Sequence, residues 1–196
     1  MRLGDYVKIR TGLPLSRKQA NAETAVQTYT AITLKALSDE GRIDVSFTEP
    51  YFAAEPLKPE YFTSVGDILI RLSAPYTPSV IDKGKENLLV SQHFSIIRSI
   101  DDRLNPQFLR WWLIKNRKKF YQSASGATLM GTISSGYIAD LSFLPPPHDV
   151  QHKVGTLLEL AMREKELLSR LSEAKLKLIN TSIIKITTEI TEGYSQ

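Results

Sequence analysis

The sequence predicts an α+β protein: a mixed α/β globular part over residues 1–147, then one long coiled-coil-type helix over residues 148–188. Three observations predict it. Apolar segments before residue 147 are short and punctuated by glycine and proline. The run Pro145-Pro146-Pro147 forbids both helix and central strand. From Asp149 to Thr187 there is then no proline and one glycine, Gly155.

The elements follow in order. Tyr6-Val7-Lys8-Ile9-Arg10 alternates as a strand, and Thr11-Gly12-Leu13-Pro14 ends it. Thr28 to Ile32 is a second strand. Ile43 to Phe47, after Asp39-Glu40-Gly41, is a third. Gly66-Asp67 turns the chain into a strand over Ile68 to Leu72, and Leu88 to Val90 and Phe94 to Ile97 follow as strands. Pro106 to Tyr121 reads as one helix, with proline in its first turn. Phe108, Leu109, Trp112, Leu113 and Phe120 largely share a face. Lys115, Arg117, Lys118 and Lys119 lie at its end, where cations suit the helix dipole. No internal repeat is present.

Asp149 is the expected N-cap of the long helix. The helix would span about 57 Å at ~1.5 Å per residue, more than a small domain needs for its own core. Val154, Leu157, Ala161, Leu168, Leu171 and Leu178 follow a 3-4 spacing, with Glu164 and Lys175 as polar interruptions. Leu158, Leu167, Leu176 and Ile179 widen the stripe. The pattern is that of a coiled-coil seam, so these residues are the expected interface with a partner helix. The alternative is a helix packed wholly on its own domain.

Composition narrows function. The 196 residues are 42% hydrophobic and 23% charged, ordinary for a folded domain with an appendage. The net charge is +4. Residues 1–147 carry 18 Lys+Arg against 14 Asp+Glu, whereas residues 148–196 carry 7 of each. A mildly basic globular part suits phosphate contact, and equally a solvated surface with no polyanion partner. The absence of cysteine excludes disulfides, a thiolate nucleophile and a Cys-based zinc site. Met1 to Tyr6 has no apolar stretch of the signal-peptide kind, and no window approaches a membrane span. A cytoplasmic location is expected, without a membrane partner.

Catalytic signatures are missing. His148 and His152 stand four apart, but no HExxH arrangement surrounds them, and His93 is remote in sequence. No metal site is expected. There is no GxSxG, P-loop or GxGxxG. Asn105-Pro106-Gln107-Phe108 lacks the second proline of the amino methyltransferase signature and reads as a helix start. Asp67, Lys85 and Glu86 do not single out a nuclease set. No enzyme activity and no cofactor are expected.

Two loops have residue types suited to nucleic acid. Leu13 to Gln19 places Arg17, Lys18 and Gln19 beside Ser16. Arginine and lysine match guanine edges, and glutamine matches adenine. Ser123 to Gly136 is small, hydroxyl-rich and expected to be flexible. In it, Ser125, Gly126, Thr128, Ser134 and Ser135 could let the backbone approach phosphates closely. Arg71, Lys83 and Lys85 complete the candidate set. Both loops read equally well as ordinary surface.

A wider pattern adds to this reading. It runs through Leu3-Gly4-Asp5, Arg10-Thr11-Gly12, Tyr29 and Ile32, then Gly66-Asp67-Ile68-Leu69-Ile70 and Pro106-Gln107-Phe108-Leu109. Gly126-Ala127-Thr128 follows, then Leu144-Pro145-Pro146-Pro147 and Gln151 before the long helix. In this order the chain resembles the specificity subunit of type I restriction–modification systems over residues 3–185. Asp149-Val150-Gln151 departs from the family's usual Glu before Gln, and Arg71-Leu72-Ser73-Ala74-Pro75 lacks the frequent glycine.

The resemblance implies a target recognition domain over 1–147, a spacer and dimerisation helix over 148–188, and a flexible tail over 189–196. It implies double-stranded DNA as ligand, with the domain binding one half of a bipartite site. Methyltransferase (modification) subunits would dock on the helix, with a restriction subunit where one is present. Adenine methylation and cleavage would belong to those partners, and this chain would carry no catalytic residue. The family's usual subunit has two recognition domains and two helices, so this chain resembles a half subunit. A second copy pairing through antiparallel helices would present two recognition domains about a twofold axis, suited to a palindromic bipartite site. The rival readings are a protein-only interaction module acting through the helix, and an idle truncated specificity cassette.

Overall fold

The computed structural model of the chain describes residues 1–100, 104–127 and 131–193. The chain forms two compact units, Met1–Gly155 and Thr156–Gln196. Strands β1 (Val7–Thr11), β2 (Gln27–Ile32), β3 (Thr48–Ala53), β4 (Ile68–Arg71), β5 (Pro78–Val80), β6 (Leu89–Val90) and β7 (Phe94–Ser99) come first. Helices α1 (Pro106–Lys115), α2 (Arg117–Ala127), α3 (Ser135–Asp140) and α4 (His148–Gly193) follow. The expected α+β class is the observed one.

In the first unit the strands form two sheets, ordered β1-β7-β4-β5 and β3-β2-β6. Strand β7 is central, antiparallel to both β1 and β4. Its alternation feeds two cores at once, because successive side chains point to opposite faces. Ile97, with Ile68 and Ile70 of β4, joins Leu3, Phe108 and Leu113. Phe94 and Ile96, with Leu69, join Ile32, Leu37 and Ile81. The second sheet packs Ala31, Tyr51 and Ala53 against Leu13, Leu57 and Leu89. Its other face leaves Thr28, Thr30 and Pro50 exposed.

Several expectations need correction. Ile43 to Phe47 is not a strand. Asp44 accepts from the backbone N–H of Ser46 at 2.9 Å and caps a 3-10 turn over Val45–Phe47. The strand begins after it, as β3, which holds Pro50 on an outer edge where a missing N–H is tolerated. The single helix over 106–121 is two helices. Asn116 donates through Nδ2 to the Trp112 carbonyl at 2.9 Å, and this local bond competes with helix continuation. Residues 123–127 close α2 and are not a flexible loop. Asp149 lies inside the first turn of α4, and the Pro147 carbonyl takes the N–H groups of Val150 and Gln151 at 3.0 and 3.1 Å. Residues 189–193 of the expected tail are helical, and 194–196 lie outside the described residues.

The first compact unit extends past the proline run to Gly155. Gln151, 2% exposed, explains why. Its Nε2 donates to the Pro146 carbonyl at 2.9 Å, and its Oε1 accepts from Asn105 N–H at 3.0 Å. Asn105 in turn caps α1, accepting from Gln107 and Phe108 N–H at 3.0 Å each. Gly155 lies against that cap, since a Cβ there would sit 2.6 Å from Asn105 Oδ1. Gln151→Ala should therefore cost about 1–3 kcal/mol by stranding two backbone groups. Urea unfolding measures it, and a loss below about 0.5 kcal/mol would contradict the clamp.

The second unit continues α4, whose 46 residues span about 69 Å at ~1.5 Å per residue. Glu166 pairs with Arg163 at 3.2 Å and Arg170 at 2.5 Å along its surface. Among the described residues no helix is long and apolar enough to cross a membrane, and no group of metal-ligating side chains gathers.

Candidate nucleic-acid interface

The loop from Leu13 to Ala20 is pinned along its length. Leu13 N–H donates to Val90 O at 2.8 Å, and Gln92 N–H returns to Leu13 O at 2.9 Å. Arg17 ends a 3-10 turn over Leu15–Arg17. The Tyr51 hydroxyl donates to Leu15 O at 2.7 Å. Farther along, Ala54 N–H donates to Lys18 O and Ala20 N–H to Phe52 O, each at 2.9 Å, so Gln19 bridges Ala53 at the outer edge of β3. A loop held this way presents its side chains without having to order itself first.

Its three candidates are not equivalent. Arg17 is exposed and its side chain forms no hydrogen bond or ion pair among the described residues, and Gln19 is exposed. Lys18 instead pairs with Glu55 at 2.5 Å. The Glu55 hydrogen bond holds the Lys18 amine above its usual range, and the same bond holds Glu55 below the usual carboxylate range. The open face of β2 and β3 carries a shallow cleft lined by Thr28, Thr30, Thr48, Glu49 and Asn87.

The remaining candidates divide by their contacts. Arg71 Nε donates to Ser73 Oγ at 3.2 Å, and its guanidinium lies 4.0 Å from Asp39. Lys85 pairs with Asp82 at 3.5 Å across the turn at Gly84, while Lys83 is exposed. Ser134 caps α3, accepting from Tyr137 N–H at 3.1 Å. Ser135 Oγ lies 2.5 Å from both Thr11 Oγ1 and Ser95 Oγ, tying α3 to β1 and β7. These two hydroxyls are engaged with groups of the protein itself. Ser125 and Gly126 lie in α2, with side-chain surroundings outside the described set, and Thr128 lies outside the described residues. Among the described residues, the candidate cations Arg17 and Lys83 thus form no ion pair, whereas Lys18, Lys85 and Arg71 are engaged. Sequence reading set aside Lys115, Lys118 and Lys119, which are exposed beside the α1–α2 break.

The expected partner seam also resolves. Val154 packs against the core of the first unit, so it is not part of an open seam. Leu157, Leu168, Leu171 and Leu178 are 67%, 59%, 50% and 68% exposed, and Ala161 is exposed. Past Leu178 the same spacing reaches Ser182 and Lys185, while Ile179, Ile183 and Ile186 carry the apolar face. The stripe drifts by one position, as expected for 3.6 rather than 3.5 residues per turn. So many exposed leucines and isoleucines on one helix mark an interaction surface.

No protein-family model matches the chain, and no curated protein matches it. Solved structures do. The HsdS subunit from Thermoanaerobacter tengcongensis superposes with a TM-score of 0.57 at 19% identity, over 87% of this chain. The type I restriction–modification system S subunit from M. genitalium gives 0.53 at 13%, over 88%. The chain has the HsdS fold. A further match, a chain from a structure of complex assembly and conformational transition of the type I R-M system, gives 0.61 at 17% over 91%. In all three the chain spans only 38–42% of the chain it matches.

Proposed function

We propose that this chain is the sequence-specific DNA-recognition subunit of a type I restriction–modification complex, in half-subunit form. The carrying observation is the fold match over nearly all of this chain and about two fifths of each neighbour. One recognition domain and one long helix are what such a half contains. The globular unit binds one half of a bipartite duplex site, with Arg17 and Gln19 reaching the bases or phosphates from a fixed loop. The exposed stripe of α4 docks partner helices, from a second copy of the chain and from adenine methyltransferase subunits. Those subunits, and a restriction subunit where one is present, perform the chemistry.

Binding of duplex DNA by the chain assembled with its modification subunits tests this. Affinity should fall steeply as salt rises, because neutralised phosphates release counterions. A binding curve flat between low and moderate salt would sink the proposal. Arg17→Ala should weaken binding by about 1–3 kcal/mol if the guanidinium reads a base, with thermal stability unchanged. Equal affinity in wild type and variant would remove the loop from the site. Light scattering should give a mass of two chains, and 22.1 kDa at micromolar concentration would count against self-pairing.

A further inference from the structure

The net positive charge of this chain is accounted for by one stretch without carboxylates. Residues 104–139 hold five of the 25 Lys+Arg and none of the 21 Asp+Glu. Without them the chain would have a formal charge of −1. One of the five, Arg110, is 7% exposed and donates to the carbonyls of Pro78 and Glu40 at 3.2 and 3.0 Å. The other four flank Asn116, where α1 gives way to α2. Lys115, Lys118 and Lys119 are exposed and form no ion pair among the described residues. Arg117 is half-buried, and its Nε has no hydrogen-bond partner among them.

This arrangement works against folding. Helix α2 opens on three consecutive cations and has no acidic residue in its first turn. A helix N-terminus is the positive end of the macrodipole and favours carboxylates. Like charges three and four residues apart also repel. A local rule broken this consistently, with no compensating carboxylate in the stretch, marks a site that serves a ligand. The ligand must be an extended anion, because the cations are exposed and spread over five positions. Lysine ammonium groups act as point charges suited to phosphate oxygens and carry little base specificity.

We infer that the α1–α2 junction is a second DNA contact, at which Lys115, Arg117, Lys118 and Lys119 hold the phosphate backbone of duplex DNA independently of its sequence. The inference rests on the proposed DNA-recognition role. It gives that role a positioning element separate from the Arg17 loop.

The test is Lys118→Gln/Lys119→Gln in the complex with the modification subunits, titrated with a target and a non-target duplex at several salt concentrations. The slope of log affinity against log salt should fall by about 1.8, at ~0.9 per lost phosphate contact. Both duplexes should lose affinity by the same factor. The melting temperature should stay equal or rise, since repulsion at the α2 start is relieved. A wild-type slope retained by the variant would overturn the inference and leave the proposed function standing. So would a lowered melting temperature, or weakened assembly with normal DNA binding by the fraction that assembles, which would assign the patch to an acidic partner surface. Absence of salt-dependent binding by the wild-type complex would overturn both readings.

Discussion

Gly12→Ala is expected to destabilise the globular unit by about 3 kcal/mol or more, the upper end of overpacking effects. A Cβ at position 12 would sit 2.3 Å from Ser91 O and 2.4 Å from Val90 O. Both are backbone atoms, so no side chain can swing aside. The neighbouring bonds leave little slack. Gly12 N–H donates to Phe94 O at 3.0 Å, and Leu13 N–H to Val90 O at 2.8 Å. Moving these strands apart would break the ladder that carries β1 into the Arg17 loop. Urea unfolding of purified wild type and variant measures the effect. A loss under about 1 kcal/mol would show that the contact relaxes cheaply. Because the loop starts here, any folded Gly12→Ala protein should also bind DNA more weakly than its stability loss explains.

Asp67→Ala should cost a similar amount, about 3–5 kcal/mol, for a different reason. Asp67 is 2% exposed. It takes a bidentate pair from Arg98, Nε to Oδ1 at 2.7 Å and Nη2 to Oδ2 at 2.6 Å, and accepts Ser64 N–H at 2.7 Å. Arg98 Nη2 also donates to Phe62 O at 3.1 Å and Ser64 Oγ at 3.0 Å. One carboxylate thus joins β4, β7 and the turn at Gly66, whose φ of +87° is in the left-handed region. Removing it strands a partly buried guanidinium and a backbone N–H. The Asp67 hydrogen bond raises the Arg98 pKa above its ordinary value. A raised cation pKa contributes stability below the unfolded value and loses it only as pH rises through the folded one. Arg98 therefore stays charged through neutral and moderately alkaline pH, and the Asp67→Ala cost should persist at pH 9. Recovery of wild-type stability at that pH would contradict this.

Strands β1, β2, β4 and β7 could be read from the sequence because their apolar residues alternate or run together. Strands β3 and β5 could not, because Pro50 and Pro78 stand where a central strand forbids proline, and both strands prove to be edges. The helix break at Asn116 depends on one side chain turning back to Trp112 O, a choice that helical periodicity does not register. That break changes the electrostatics. Lys118 and Lys119 read as a favourable C-terminal ending, yet they stand at the start of α2. The loop from Leu13 to Ala20 shows the same limit. Residue types flagged Arg17, Lys18 and Gln19 together, but Glu55, which neutralises Lys18, is far away in sequence. Ser134 and Ser135 looked like groove contacts because hydroxyls suit phosphates. Ser134 caps its own helix, and the partners of Ser135, Thr11 and Ser95, lie on strands that only the tertiary fold brings alongside. The proline run and the helix after it were legible, since proline's chemistry is local. The clamp by Gln151 across that junction needed the packed structure.

The most direct test of the DNA-recognition role is the methylome of cells carrying this chain with its neighbouring modification subunit. The expected result is adenine methylation at a bipartite motif whose two halves are inverted repeats, lost when the chain is deleted. Adenine methylation that is unchanged by the deletion would contradict it.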